Sequence, residues 1–111
     1  MRPTLRVVEG PYLRDILDQP RALEATFRGL DEPEALAAVV RRLRGGELRR
    51  VVLTGMGSSH HGLVPLHLRL VEAGLAPVTV ESSELLHYQQ ALLAEGTLLV
   101  LLSQSGRSAE I

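Results

Sequence analysis

Apolar positions along the chain change their period once, at Gly45-Gly46. Before that point they recur at helical spacing. Tyr12, Leu13, Ile16 and Leu17 share one face of a first helix, and Ala22, Leu23 and Phe27 share one face of a second. Pro20 lacks an amide hydrogen and disfavours helix at Gln19, so a break or kink is expected between the two. Gly29 falls near the end of the second helix. Asp31, Pro33 and Glu34 then supply an N-cap, a first-turn proline and an early acid for a third helix, whose apolar stripe is Leu36, Val39, Val40 and Leu43.

Beyond the paired glycines, short apolar runs alternate with helical patterns. Residues 51–54 form a β-branched run that reads as a buried strand. Helical spacing returns over 59–73 through Leu63, Leu66, Leu70 and Val71, with Pro65 near the start and Gly74 as the stop. Residues 78–81 read as a second strand. Ser82 or Ser83 caps a short helix running to about Leu93, and Gly96 turns into a third strand over 98–102. A last helical pattern opens at Ser108. Strands alternating with helices predict an α/β parallel sheet, here a flavodoxin-like three-layer αβα arrangement preceded by N-terminal helices. The boundary is drawn at 46: residues 1–46 as a helical segment, and 47–111 as the first part of the α/β domain.

The third strand also predicts its surroundings. Residues 98–102 are apolar at every position, the pattern of a strand covered on both faces and paired on both sides. With a 2-1-3 strand order and nothing further, it is an exposed hydrophobic edge. The expectation is therefore a domain incomplete at its C-terminus, finished by further chain or by a partner.

Composition removes several chemistries. All 12 basic residues are arginine, so no lysine is present for a Schiff base or a Walker-type phosphate contact. No cysteine is present either, which excludes disulfides, thiolate nucleophiles and cysteine metal sites. A formal net charge of -1 and an aromatic content of 3% argue against a nucleic-acid partner, and the cluster Arg41, Arg42, Arg44, Arg49, Arg50 reads as a solvated helix end. No apolar run approaches the length of a membrane span or a signal peptide, so a soluble, cytoplasmic protein with no membrane partner is expected.

Two turns carry the candidate chemistry. The first strand ends in Gly55-Met56-Gly57-Ser58-Ser59-His60-His61-Gly62, and the third in Ser103-Gln104-Ser105-Gly106. In a 2-1-3 sheet these strands are neighbours, and ligands bind beyond their carboxyl ends at the switch point. Serine hydroxyls, the Gln104 amide and two sets of helix-terminal amides then face one volume, which suits a phosphate and sugar hydroxyls. Taken alone, Ser58-Ser59 reads as an ordinary serine cap. A dinucleotide fingerprint fails because His60 stands where its third glycine belongs, and His60 with His67 lacks the acidic ligand of a metal site.

The motifs Gly55-x-Gly57-Ser58-Ser59-His60-His61, Ser83-Glu84 and Ser103-Gln104-Ser105-Gly106-x-Ser108-Ala109 resemble the first sugar-isomerase (SIS) domain of glutamine–fructose-6-phosphate aminotransferase and its relatives. Ile16 and Gln19-Pro20 resemble the helix that enters that domain. The resemblance implies phosphosugar binding by Gly57, Ser58, Ser59, Ser103, Gln104, Ser105 and Ser108, with serine for threonine at 58 and 108 keeping the hydroxyl. His61 is implied near the site; Glu84 is either a buried family contact or a first-turn acid. Arg107 and Leu85 depart from the family pattern, where Glu and Phe are usual.

The family's acid/base Glu, ring-opening His and Lys have no matching positions here, nor has the glutaminase half with its cysteine nucleophile. No catalytic residue, metal or cofactor is therefore implied within this chain. The resemblance points to part of an aminosugar-phosphate isomerase, aminotransferase or deaminase acting on fructose 6-phosphate or glucosamine 6-phosphate, with a homodimer expected. The alternative is a non-catalytic module that senses a phosphosugar.

Overall fold

A computed structural model describes residues 6–111; residues 1–5 of the N-terminal segment lie outside the described residues. The chain divides into two units, Met1–Glu34 and Ala35–Ile111. The first is dominated by helix α1, Pro11–Arg28, which ends at Gly29. This helix runs through Pro20, where a break or kink was expected, without a break. Arg21 grips Asp18 across the proline, with Nε on Oδ1 at 2.6 Å and Nη2 on Oδ2 at 2.7 Å. The bidentate pair bridges the turn in which proline withholds its own hydrogen bond. The same guanidinium bond holds the Asp18 carboxyl below its ordinary value.

The second unit is the α/β body. Helix α2, Glu34–Arg44, begins one residue beyond Pro33, so the proline precedes the helix instead of occupying its first turn. Strands β1 (Arg50–Gly55), β2 (Val78–Glu81) and β3 (Thr97–Leu102) form one sheet in the order β2-β1-β3. Both pairings are parallel: Val52 is level with Val78 on one side and with Leu99 on the other. This is the predicted flavodoxin-like order, with β1 in the centre.

Alternation along β1 divides the core between two faces. Val51 and Leu53 pack with Leu63, Leu43, Leu70, Leu98 and Val100 on one side. Val52 packs with Val80, Leu85, Val78 and Leu92 on the other. Helices therefore cover both faces of the central strand, which explains why it is apolar at successive positions. Thr54, 1% exposed, is the polar exception, and its Oγ1 lies 3.0 Å from Oγ of Ser82, 3% exposed. Each hydroxyl satisfies the other. Thr54→Val strands the Ser82 hydroxyl and is expected to cost about 1–2 kcal/mol in chemical denaturation, whereas adding Ser82→Ala should recover part of that loss.

The helical stretch after β1 is two helices: α3, Ser58–Gly62, and α4, Val64–Glu72. Pro65 has no amide to return to the carbonyl of His61, so the ladder lapses at Leu63 and restarts. At the far end, Gly74 takes φ +83°, its amide reaches Val71 O and that of Leu75 reaches Leu70 O, which closes α4 where the sequence predicts. Helix α5, Ser82–Tyr88, is followed by a separate 3-10 turn, Gln90–Leu92, in place of one helix to Leu93. Glu81, not a serine, holds the cap position of α5.

Strand β3 is the exposed apolar edge that a 2-1-3 order predicts. Among the described residues it pairs only with β1, and Leu99, Leu101 and Leu102 are each about two-fifths exposed. Its inner positions, Leu98 and Val100, join the core. The helix expected from Ser108 is a turn, closed by the Ile111 amide on Ser108 O.

Candidate functional site

The parallel register sets Gly55, the last residue of β1, opposite Leu102, the last of β3. Beyond this pair the two chains diverge, one into α3 and the other into an irregular loop. Gly55 makes their approach possible. A Cβ placed on it would lie 2.9 Å from Leu102 O, 3.0 Å from His60 N and 3.1 Å from the Ser59 carbonyl carbon. All three are backbone atoms, so no side chain can rotate away. Gly57 then reverses the chain at φ +52°, a conformation that side chains disfavour, and delivers Ser58 and Ser59 to the start of α3.

The space between the diverging chains is a cavity of about 330 Å³. Ser58 and Ser59 line it from the β1 side, and Ser103, Gln104, Ser105 and Ser108 from the β3 side. These are the predicted site residues except Gly57, which turns the chain without lining the space. Met56, Leu102 and Ile111 complete the walls. Sequence reasoning did not single out these three. Their only signal was adjacency to the turns, Met56 between two glycines and Leu102 at the last position of an apolar run.

The hydrogen bonding differs in part from the expectation of free helix-terminal amides: at α3 only the Ser59 amide of the first turn is taken up, while the His61 bond is the ordinary first helical one. The Ser59 amide donates to Met56 O at 3.0 Å and that of His61 to Gly57 O at 3.2 Å. On the other side, Ser103 Oγ accepts from the Gly106 amide at 2.8 Å and Ser105 Oγ from the Arg107 amide at 3.2 Å. Among the described residues, 103–111 hold no helix that would present amides there. A hydroxyl that accepts still has its own proton to donate, and accepting a bond polarises that proton. The β3 loop thus offers hydroxyl protons where amide protons were expected. The start of α3 likewise has no side-chain cap, so the reading of Ser58-Ser59 as a serine cap is not what forms: Gly57 occupies that position.

The histidines separate. His60 is half-buried with Nδ1 unpartnered, and its ring meets that of His61 edge to face at 5.6 Å. His61 is exposed and is not among the residues lining the cavity, where a wall position was expected. His67 is on α4, beyond the break from His60, and its Nδ1 lies 2.8 Å from Thr79 Oγ1, tying α4 to β2. Among the described residues no three His, Asp or Glu side chains gather closely enough to hold a metal ion, and no helix is long and apolar enough to cross a membrane. Glu84 is exposed in the first turn of α5, the more ordinary of its two readings.

Neither a family model nor a solved structure matches the chain. Curated proteins do. It is 30% identical to a glutamine–fructose-6-phosphate aminotransferase (isomerizing) of Pyrococcus horikoshii over 96% of its own length and 18% of that protein's. With the protein of the same name from Symbiobacterium thermophilum it is 36% identical, over 88% of this chain and 17% of the relative. With that of Aeropyrum pernix it is again 36% identical, over 86% and 15%. The chain belongs to the SIS-domain family of these aminotransferases. It spans less than a fifth of the length of the curated relatives it matches. The sheet order and the flanking helices of this SIS chain agree with that membership.

Proposed function

We propose that the crevice between β1 and β3 binds the phosphate group of a phosphorylated sugar. In this reading the SIS chain is part of an aminosugar-phosphate isomerase, aminotransferase or deaminase acting on fructose 6-phosphate or glucosamine 6-phosphate. The observation that carries it is the lining: five serines and a glutamine from two turns around one cavity. Hydroxyls and an amide match the oxygens of a phosphate and a polyol, and three apolar walls limit water. Ser58 and Ser59 grip from one side, with Gly57 setting their position, while Ser103, Gln104, Ser105 and Ser108 grip from the other. The family resemblance adds a homodimer and a cytoplasmic setting to the proposal.

Calorimetric titration of the protein with fructose 6-phosphate and glucosamine 6-phosphate tests it. Ser103→Ala and Ser105→Ala each remove a hydroxyl that both steadies the loop and faces the cavity. Each should weaken binding by about 10-fold or more, as expected for a lost bond to a charged group. Wild-type binding unchanged in both variants would place the ligand elsewhere.

A second reading is a module that senses a phosphosugar without turnover. No carboxylate, imidazole or amine is among the side chains lining the cavity, so in an enzyme the acid and base would have to come from outside this lining. A sensing module needs neither. Tight binding with no conversion of either sugar, followed by NMR of the ligand, would support the sensor.

A further inference from the structure

We propose that Arg107 is the residue through which this crevice selects a doubly charged phosphomonoester over neutral or singly charged ligands; the inference rests on the phosphosugar reading above. The cavity lining is electrically neutral, being made of hydroxyls, one amide and apolar groups. Neutral donors recognise oxygen atoms but respond weakly to how many charges those oxygens carry. Within residues 103–108, Arg107 is the single charged residue, and the whole chain has no lysine.

Its placement is fixed from the backbone. Arg107 lies between Ser105 and Ser108, both of which line the cavity, and its own amide is held by Ser105 Oγ at 3.2 Å. The hydroxyl that faces the cavity therefore also anchors the residue that carries the guanidinium. The side chain is exposed and has no ion-pair partner among the described residues. Some other arginines are engaged: Arg21, Arg28, Arg42 and Arg69 pair with carboxylates, and Arg50 donates to Leu92 O. Like Arg107 itself, the nearest acid along the chain, Glu110, is not among the residues lining the cavity; it borders a neighbouring groove beside Leu99 and Leu101. A guanidinium presents a planar fork of donors that fits two phosphate oxygens at once, and its attraction grows with each charge on the anion. Arg107 is exposed, so that attraction is screened by salt over a distance of about 10 Å at 0.1 M.

The test is calorimetry of the protein and its variants with fructose 6-phosphate, with fructose 6-sulfate as a singly charged counterpart and with fructose, at 50 and 300 mM sodium chloride. Arg107→Gln should weaken fructose 6-phosphate binding by about 5- to 20-fold at low salt, with a smaller loss at high salt. The loss should be smaller for the sulfate ester and nil for fructose, while Arg107→Lys keeps much of the affinity and Arg107→Glu loses most of it. If the serine variants lose binding while Arg107→Gln matches wild type, Arg107 has no such role and the phosphosugar reading stands. An equal loss for the phosphate and sulfate esters would likewise refute selection by charge. If wild-type protein binds none of these probes, both fall.

Discussion

Gly55→Ala is expected to lower stability by about 2–3 kcal/mol, the range for forcing one extra carbon into a packed site. It is also expected to abolish phosphosugar binding in the protein that remains folded. The added carbon meets Leu102 O, His60 N and Ser59 C, and none of them can move without separating β1, α3 and β3. Relief comes only by moving the two turns apart, which widens the cavity and removes the simultaneous grip of Ser59 and Ser103. For a body of this size the thermal midpoint should fall by roughly 10–20 °C. A variant that melts like wild type and binds like it would show that the strand ends tolerate the carbon.

Leu53→Ala should produce a loss of about 3–4 kcal/mol, at least as large, with a different signature. Leu53 is fully buried at the middle of the central strand and packs with Val51 and Leu63. Its removal leaves a hole beneath the helices but touches no residue that lines the cavity. Urea unfolding should show a lower midpoint, whereas titration of the folded fraction at low temperature should show near wild-type affinity. The pair of variants separates the sheet as a scaffold from the strand ends as a site.

The sheet was legible because each strand announces itself locally. The apolar runs over 51–54 and 98–102 are bounded by glycines or hydroxyl residues, and the helical spacing between them leaves a parallel, doubly wound order as the economical arrangement. Once that order is granted, Ser58 and Ser59 must stand near Ser103 and Ser105. The misread features depend on contacts that no local pattern encodes. Pro20 stays within α1, where Asp18 and Arg21 close a bidentate pair across it. The loop after β3 takes its shape from hydroxyls accepting the Gly106 and Arg107 amides, where helical amides were expected. Gly55 reads in sequence as one more glycine of a phosphate turn. Its role as a spacer follows from the register that sets it against Leu102, and register is a property of two strands, not one.

That register also orders events in time. Val52 is level with Val78 and with Leu99, so β1 joins first a strand separated by one helical crossover and then one separated by two. Closing the longer excursion costs more chain entropy, and contacts distant in sequence form late. Strand β3 is therefore expected to be fastened last in folding and released first. The crevice exists only after that step, since one of its two walls rides on β3. A sugar phosphate held there acts as a latch on a finished sheet: it should slow unfolding and leave the refolding rate unchanged.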